Sequence, residues 1–264
     1  MSEGDRLAVV VLLVDDQRVI GMAVSRLLAS ERDIELHHCT DATEAIASAN
    51  LLQPTIILQD LVMPQIDGLT LVGQFRANPT TATTPIIVLS ATDDADARGR
   101  TRAAGASDYL VKVPAKDDLI ACIRAHAPSG RADQAPARIE GSPAEIARSE
   151  LTLDPDVMAA FRQSAPDGSS EFTLRLIDQF VKEAEVRVDS LRDAAGRGDA
   201  VALRSTAHAL KGSSLVMGVT RLGALCGEVE RQPEQHISSG LVAVIEQELA
   251  AVRAAFAAEQ AAGK

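Results

Sequence analysis

The sequence predicts two folds in series: an α/β domain on a five-stranded, doubly wound parallel sheet, then an all-α helical bundle. Three observations carry this. Within residues 1–127, short apolar runs alternate with amphipathic stretches, the pattern of strands and helices wound into one sheet. Residues 128–150 are rich in Pro, Gly, Ala, Ser, Arg and Glu and show no apolar periodicity, which is the composition of a linker. From 151 to 264 apolar residues recur only at helical spacing. The expected organisation is therefore a domain at 1–127, a linker at 128–150 and a helical domain at 151–264.

The elements of the first domain can be read in order. Residues 7–14 form a continuous apolar run that stops at Asp15-Asp16, as suits a strand buried on both faces. Residues 19–28 read as an amphipathic helix with Ile20, Ala23, Val24 and Leu27 on one side. Residues 34–39 are a second strand, and 42–52 a second helix with Asp41 as its N-cap. Residues 55–59 are a third strand, ended by Asp60; Met63-Pro64 and Asp67-Gly68 mark a turn before a helix at 69–77. A fourth strand at 85–89 ends at Ser90, a helix spans 95–104, a fifth strand at 109–111 ends at Lys112, and 116–126 is a closing helix.

In an open α/β sheet all parallel strands end on one edge, where ligands bind. Asp15, Asp16, Asp60, Ser90 and Lys112 converge there. One acid at a strand end is ordinarily just solvated, but five such residues placed this way are not. Clustered carboxylates resist ionisation without a cation, and an oxygen-only set suits Mg²⁺. Lys112 and the Ser90 hydroxyl would hold other phosphoryl oxygens, which is the equipment for in-line transfer onto a carboxylate.

The setting of these residues in Leu-Val-Asp-Asp, Leu-Gln-Asp-Leu-Val-Met-Pro-Gln-Ile-Asp-Gly, Val-Leu-Ser-Ala and Asp-Tyr-Leu-Val-Lys resembles the response-regulator receiver domain, a flavodoxin-like fold. The resemblance implies that Asp60 is the phosphoacceptor and that Asp15 and Asp16 bind Mg²⁺ with Asp60 and the backbone carbonyl of Val62. It also implies that Ser90 is the switch hydroxyl, Tyr109 the switch aromatic and Lys112 the family's invariant lysine. The family usually has Pro directly after this Lys, often through a cis bond; here Val113 intervenes before Pro114. A cis bond before a non-proline residue costs about 2.5–4 kcal/mol.

In the helical domain, Asp154-Pro155 predicts an N-cap and first helical position, with a short helix to about 163. A longer helix at 172–195 carries Phe172, Leu176, Phe180, Ala184 and Leu191 on one face. Asp199 caps a helix running to Met217 and broken at Gly218; helices at 221–230 and 241–256 follow, separated by Pro233. An antiparallel four-helix bundle with a leading helix is the economical arrangement. On the 199–217 helix, Leu203, Ala207, Leu210, Ser214 and Met217 form one stripe. His208 lies well off it, beside Arg204, Lys211, Gly212 and Leu215. A neutral imidazole is a good nucleophile near neutral pH, Lys211 could steady an anion on it, and Gly212 suggests close approach by something large, with Leu215 in the same docking surface.

The spacing His208-x-x-Lys211-Gly212-Ser213-Ser214 resembles the signature of histidine phosphotransfer (Hpt) domains. The implied activity is that of a phosphorelay intermediate, in which Asp60 accepts a phosphoryl group and His208 exchanges it with a receiver aspartate. The implied partners are a sensor histidine kinase, other receiver-domain proteins, or both. No ATP-binding kinase motif is evident, so a phosphotransfer signalling protein is expected rather than an enzyme. Alternatives are a phosphorylation-switched binding module or a phosphate sink acting on a separate regulator.

Composition narrows the classes. A net charge of −11 disfavours binding to phosphate backbones, and 2% aromatic residues with no Trp disfavours base-stacking platforms. Nucleic-acid binding is not expected. No apolar run reaches membrane-span length and the first residues lack signal-peptide shape, so the expectation is a cytoplasmic protein without membrane insertion. Cys39, Cys122 and Cys226 are far apart, as suits reduced, partly buried thiols. His37, His38, His126 and His236 show no carboxylate or thiol pattern in the sequence and read as surface or edge residues.

Overall fold

The computed structural model describes residues 9–91, 95–112, 114–127, 152–154, 157–159, 171–232 and 239–262. The chain divides into two compact units, 1–141 and 142–264. The stretch 128–150, the part of the expected leading helix beyond 159, and Val113 lie outside the described residues.

The first unit is built from β1 (Val9–Val14), α1 (Arg18–Leu28), β2 (Ile34–Cys39), a 3-10 turn (Ala42–Glu44), α2 (Ala45–Leu52), β3 (Ile56–Asp60), α3 (Gly68–Ala77), β4 (Ile86–Ser90), α4 (Ala95–Ala104), β5 (Asp108–Val111) and α5 (Lys116–His126). The five strands are parallel in the order β2-β1-β3-β4-β5. β3 and β4 are buried along their whole length, which explains why both open with consecutive apolar residues rather than alternating ones before ending in polar residues. Leu12, Val14, Ile57, Ile86 and Val88 pack with Leu71, Val72 and Phe75 of α3 on one face. The alternate strand residues, Val11, Leu13, Leu58, Ile87 and Leu89, are buried on the other face.

Local chemistry fixes the elements where the sequence suggested. Asp41 Oδ1 accepts from the Thr43 amide at 2.9 Å, capping the 3-10 turn that precedes α2, so the stretch 42–52 is two elements rather than one helix. Asp67 Oδ2 accepts from the Thr70 amide at 3.0 Å and caps α3. The next residue has no room for a side chain: a Cβ on Gly68 would lie 2.4 Å from the Leu61 carbonyl oxygen. That contact presses α3 onto the loop leaving β3 and so fixes the backbone just beyond Asp60. The β1 and β3 ends flank the point where strand order reverses, the place at which open α/β sheets form a binding crevice.

The second unit contains α6 (Glu171–Arg197), α7 (Ala200–Val216), α8 (Thr220–Arg231) and α9 (Ser239–Ala262). Leu176, Phe180, Ala184, Val188 and Leu191 form the buried stripe of α6, and Phe180 meets Phe256 of α9 edge to face with ring centroids 6.0 Å apart. Leu203, Ala207, Leu210, Ser214 and Met217 are all buried. The Ser213 and Ser214 hydroxyls are satisfied by donating to the Leu210 carbonyl at 3.1 and 2.6 Å. Asp199 Oδ1 caps α7 through the Ala202 amide at 3.0 Å, and Gly218 ends it in the left-handed region at φ +67°. Asp154 Oδ1 accepts from the Val157 amide at 3.4 Å at the start of the leading segment. No helix among the described residues is long and apolar enough to cross a membrane.

Candidate functional site

Two constellations stand out, one in each unit. In the first, parallel strands deliver side chains to a common edge. Asp15 follows β1, Asp60 ends β3, Ser90 ends β4 and Lys112 follows β5. The carboxylates of Asp15, Asp16 and Asp60 offer oxygens that all lie within 4.8 Å of one another. The Lys112 ammonium bridges two of them, 2.7 Å from Asp15 Oδ2 and 2.7 Å from Asp60 Oδ2, and all three side chains are almost wholly buried. Burial alone would push the Lys112 ammonium toward neutrality, but the two carboxylates overcome it and hold the group charged well above the ordinary lysine range.

The remaining oxygens are held by the backbone. Asp15 Oδ1 accepts from the Gln17 amide at 2.9 Å, and Asp60 Oδ1 from the Val62 amide at 3.3 Å. The Ser90 carbonyl accepts from the Lys112 amide at 2.7 Å, locking the two strand ends together. Ser90 itself is buried. The Tyr109 ring is buried in the core with residues of α3 and α4, with the Arg98 guanidinium 5.0 Å from the ring centroid.

Counted formally, three carboxylates and one ammonium carry a charge of −2 in this crevice. Oxygen-only donors with that charge fit a hard divalent cation of the Mg²⁺ type.

In the second unit, α7 and α8 pack antiparallel and bring His208 against a residue that the wheel could not show. His208 Nδ1 is 2.6 Å from Glu230 Oε1, and Lys211 Nζ donates to Glu230 Oε2 at 2.8 Å. Burial raises the Glu230 carboxyl, but the hydrogen bonds and charges of His208 and Lys211 outweigh it, and the group sits below the usual glutamate range. An ionised Glu230 accepts from Nδ1–H, and in the neutral ring that tautomer carries its lone pair on Nε2. Among the described residues Nε2 has no hydrogen-bond partner, and it is shielded from solvent.

The same packing corrects two expectations. Gly212 is buried rather than presented at the surface. Leu215 is partly buried and reaches α8, where a Cβ on Gly223 would lie 3.4 Å from its Cδ2. One turn along, the Lys211 stem lies 3.9 Å from the position of a Cβ on Gly227. Small residues on α8 thus accept the side chains from the His208 side of α7, and Lys211 is engaged with Glu230 rather than free. Helical spacing within one element could not reveal a neighbour contributed by another.

The histidines need a further correction. His37 lies 2.8 Å from Glu35, and His38 Nε2 lies 2.8 Å from the Asp15 carbonyl. His126 Nε2 lies 3.0 Å from Asp108 Oδ2, and the Cys122 thiol donates to that same oxygen at 3.6 Å. A carboxylate and a thiol therefore do surround His126. Cys122 and His126 are one helical turn apart, but Asp108 comes from β5, beyond the reach of local pattern. His236 lies outside the described residues.

Known proteins resemble the chain in two separate stretches. The family model described as the response regulator receiver domain matches residues 11–124, and that described as the Hpt domain matches residues 175–255. Protein PilG of Pseudomonas aeruginosa is 30% identical over 119 residues, 45% of this chain and 87% of that protein. Response regulator MprA of Mycobacterium leprae is 34% identical over 146 residues, 55% of this chain and 60% of MprA. Among solved structures, chemotaxis protein CheY4 of Vibrio cholerae is 28% identical with a TM-score of 0.42, covering 44% of this chain and 97% of that one.

Proposed function

From a chain that belongs to the response-regulator receiver family and carries an Hpt domain behind the receiver, we propose a phosphorelay intermediate that uses two acceptors, Asp60 and His208. The observation that carries the reading is the state of the His208 ring. A structural histidine in a bundle has both nitrogens satisfied. Here Nδ1 is anchored to Glu230 at 2.6 Å while Nε2 has no partner among the described residues, an arrangement suited to a nucleophile and wasteful for a strut.

In the first half-reaction an Asp60 carboxylate oxygen attacks the phosphorus of a phosphohistidine on a partner. The new O–P bond forms as the N–P bond breaks, and the electron pair returns to the partner's imidazole. Lys112, already 2.7 Å from Asp60, offsets the charge gathering on the phosphoryl oxygens, and the Ser90 hydroxyl at the neighbouring strand end is the other donor to them. Mg²⁺ held by Asp15, Asp16, Asp60 and the Val62 carbonyl would supply further charge neutralisation at those oxygens.

In the second half-reaction His208 Nε2 attacks the phosphorus of an aspartyl phosphate. The Nε2–P bond forms, the acyl O–P bond breaks and the carboxylate is restored. The ring becomes positively charged, and Glu230 stabilises it through Nδ1–H. Because Nε2 is shielded, the side chains over it must shift before an aspartyl phosphate can reach it.

A radiolabel transfer profile tests this. Candidate kinases loaded from labelled ATP are mixed with the wild-type chain, Asp60→Asn and His208→Gln, each with and without a separate receiver. The relay predicts label on both residues of the wild type and loss of onward transfer in His208→Gln. Label confined to Asp60 would support a phosphorylation-switched binding module instead. Label that enters and is lost as inorganic phosphate, without reaching a receiver, would support a phosphate sink.

A further inference from the structure

The N-terminal edge of the sheet, opposite the acids, gathers a second set of potential ligands. Asp108 opens β5, and Cys122 and His126 lie one turn apart on the facing side of α5. Their ligand atoms all lie within 4.8 Å of one another. We propose that Asp108, Cys122 and His126 form a site for a borderline-soft divalent metal ion, Zn²⁺ in the first instance.

The distances carry the argument. Tetrahedral zinc with a thiolate at about 2.3 Å and imidazole and carboxylate at about 2.0 Å sets N···O near 3.3 Å and S···O near 3.5 Å. The corresponding separations here are 3.0 Å for His126 Nε2 to Asp108 Oδ2 and 3.6 Å for Cys122 Sγ to the same oxygen. Both pairs that share Asp108 Oδ2 are within a few tenths of an ångström of the bound geometry before any ion arrives, and the Cys122 and His126 ligand atoms lie within 4.8 Å of each other.

The supporting contacts agree. Asp108 Oδ1 accepts from the Tyr109 amide at 2.8 Å, which leaves Oδ2 turned toward the thiol and the imidazole. Cys122 is buried, whereas the Asp108 and His126 side chains are 42% and 27% exposed, so an ion can enter from solvent on the carboxylate side. Metal binding here replaces the Cys122 S–H proton, which is released to water as the thiolate–metal bond forms. Three protein ligands leave a fourth position for water.

The donor set separates this site from the crevice at the other edge. Thiolate, imidazole and carboxylate select a Zn²⁺-like ion, whereas three carboxylates select Mg²⁺. The two lie on opposite edges of the sheet, Asp108 and Lys112 being about 13 Å apart along β5 at ~3.3 Å per residue. Metal here would also cross-link the start of β5 to the last turn of α5, two residues before the interval leading to the helical unit.

Co²⁺ is the probe, titrated into the reduced full-length chain with excess Mg²⁺ present to occupy the oxygen-only crevice. The expected result is a thiolate-to-cobalt charge-transfer absorption that saturates at one equivalent and is bleached by Zn²⁺. The band should vanish in Cys122→Ser and weaken at least tenfold in apparent affinity in His126→Gln and Asp108→Asn, while Cys39→Ser and Cys226→Ser retain it. Circular dichroism of each variant verifies the fold, and Asp108→Asn, at a half-exposed position, guards against loss through unfolding of the cysteine variant. Absence of any thiolate band in folded wild-type protein overturns the proposal. Persistence of the band in folded Cys122→Ser overturns it equally.

Discussion

Replacing Glu230 by Ala separates the two nitrogens of His208 most directly. The carboxylate is 2.6 Å from Nδ1, and both side chains are about four-fifths buried, at 17% and 20% exposure. When Nε2 takes a phosphoryl group the ring gains positive charge next to this carboxylate. At an effective dielectric near 20 and a charge separation of ~5 Å, the attraction is about 3 kcal/mol. A hydrogen bond to a charged group contributes about 1.5–3 kcal/mol, a similar figure reached independently. Only the part expressed in the transition state affects the rate, so Glu230→Ala should slow phosphorylation of His208 by roughly 10- to 100-fold. Glu230→Gln retains an acceptor for Nδ1–H but loses the charge, and should fall between. The assay loads the full chain in an Asp60→Asn background with phosphoramidate and follows the base-stable, acid-labile phosphate with time. Circular dichroism verifies that the bundle persists. If folded Glu230→Ala acquires base-stable phosphate within twofold of the parent rate, the positioning argument is wrong.

Further predictions follow from other contacts. Arg76 donates to the Thr84 and Gly105 carbonyls at 2.7 and 2.8 Å and to Thr81, Ala82 and Ser107 at 3.3 Å, so Arg76→Met should lower the stability of the receiver unit by about 2–4 kcal/mol, read as a shift in its urea midpoint. Removing the Lys112 ammonium from among three carboxylates should tighten Mg²⁺ binding roughly tenfold in Lys112→Ala while slowing Asp60 phosphorylation; a calorimetric titration showing weaker binding would contradict the charge count. Chelation by EDTA should abolish Asp60 labelling, and undiminished labelling would contradict the metal assignment. Because the folded-state pKa of Glu230 is depressed, its contribution to stability is full above the ordinary glutamate value and is lost as pH falls through the lower folded value. An acid titration of helicity should therefore show a shallower loss below about pH 4.5 in Glu230→Gln than in wild type.

The elements were legible because their periodicities are strong. The stretches 55–59 and 85–89 read as strands ended by Asp60 and Ser90, and parallel order then carried those two residues to one edge. The buried stripe of α7 followed from spacing alone. What was not legible came from contacts between elements distant in sequence. Glu230 reaches His208 only because α8 folds back along α7, and the wheel that placed Gly212 and Leu215 beside an open surface had no knowledge of the glycines on α8. Asp108 joins Cys122 and His126 across a strand and a helix. For His208 the sequence identified one member and the tertiary fold supplied the partner, whereas none of Asp108, Cys122 and His126 was singled out before the fold brought them together.

The central claim is that one chain carries two chemically distinct phosphoacceptors. The most direct measurement loads wild type, Asp60→Asn and His208→Gln with phosphoramidate and Mg²⁺, then divides the bound phosphate by its stability to base and to acid. Phosphohistidine survives base, and phosphoaspartate does not. The account predicts both pools in wild type, only the base-stable pool in Asp60→Asn and only the base-labile pool in His208→Gln. A base-stable pool that survives intact in His208→Gln, or that never forms in folded wild-type protein, would contradict it.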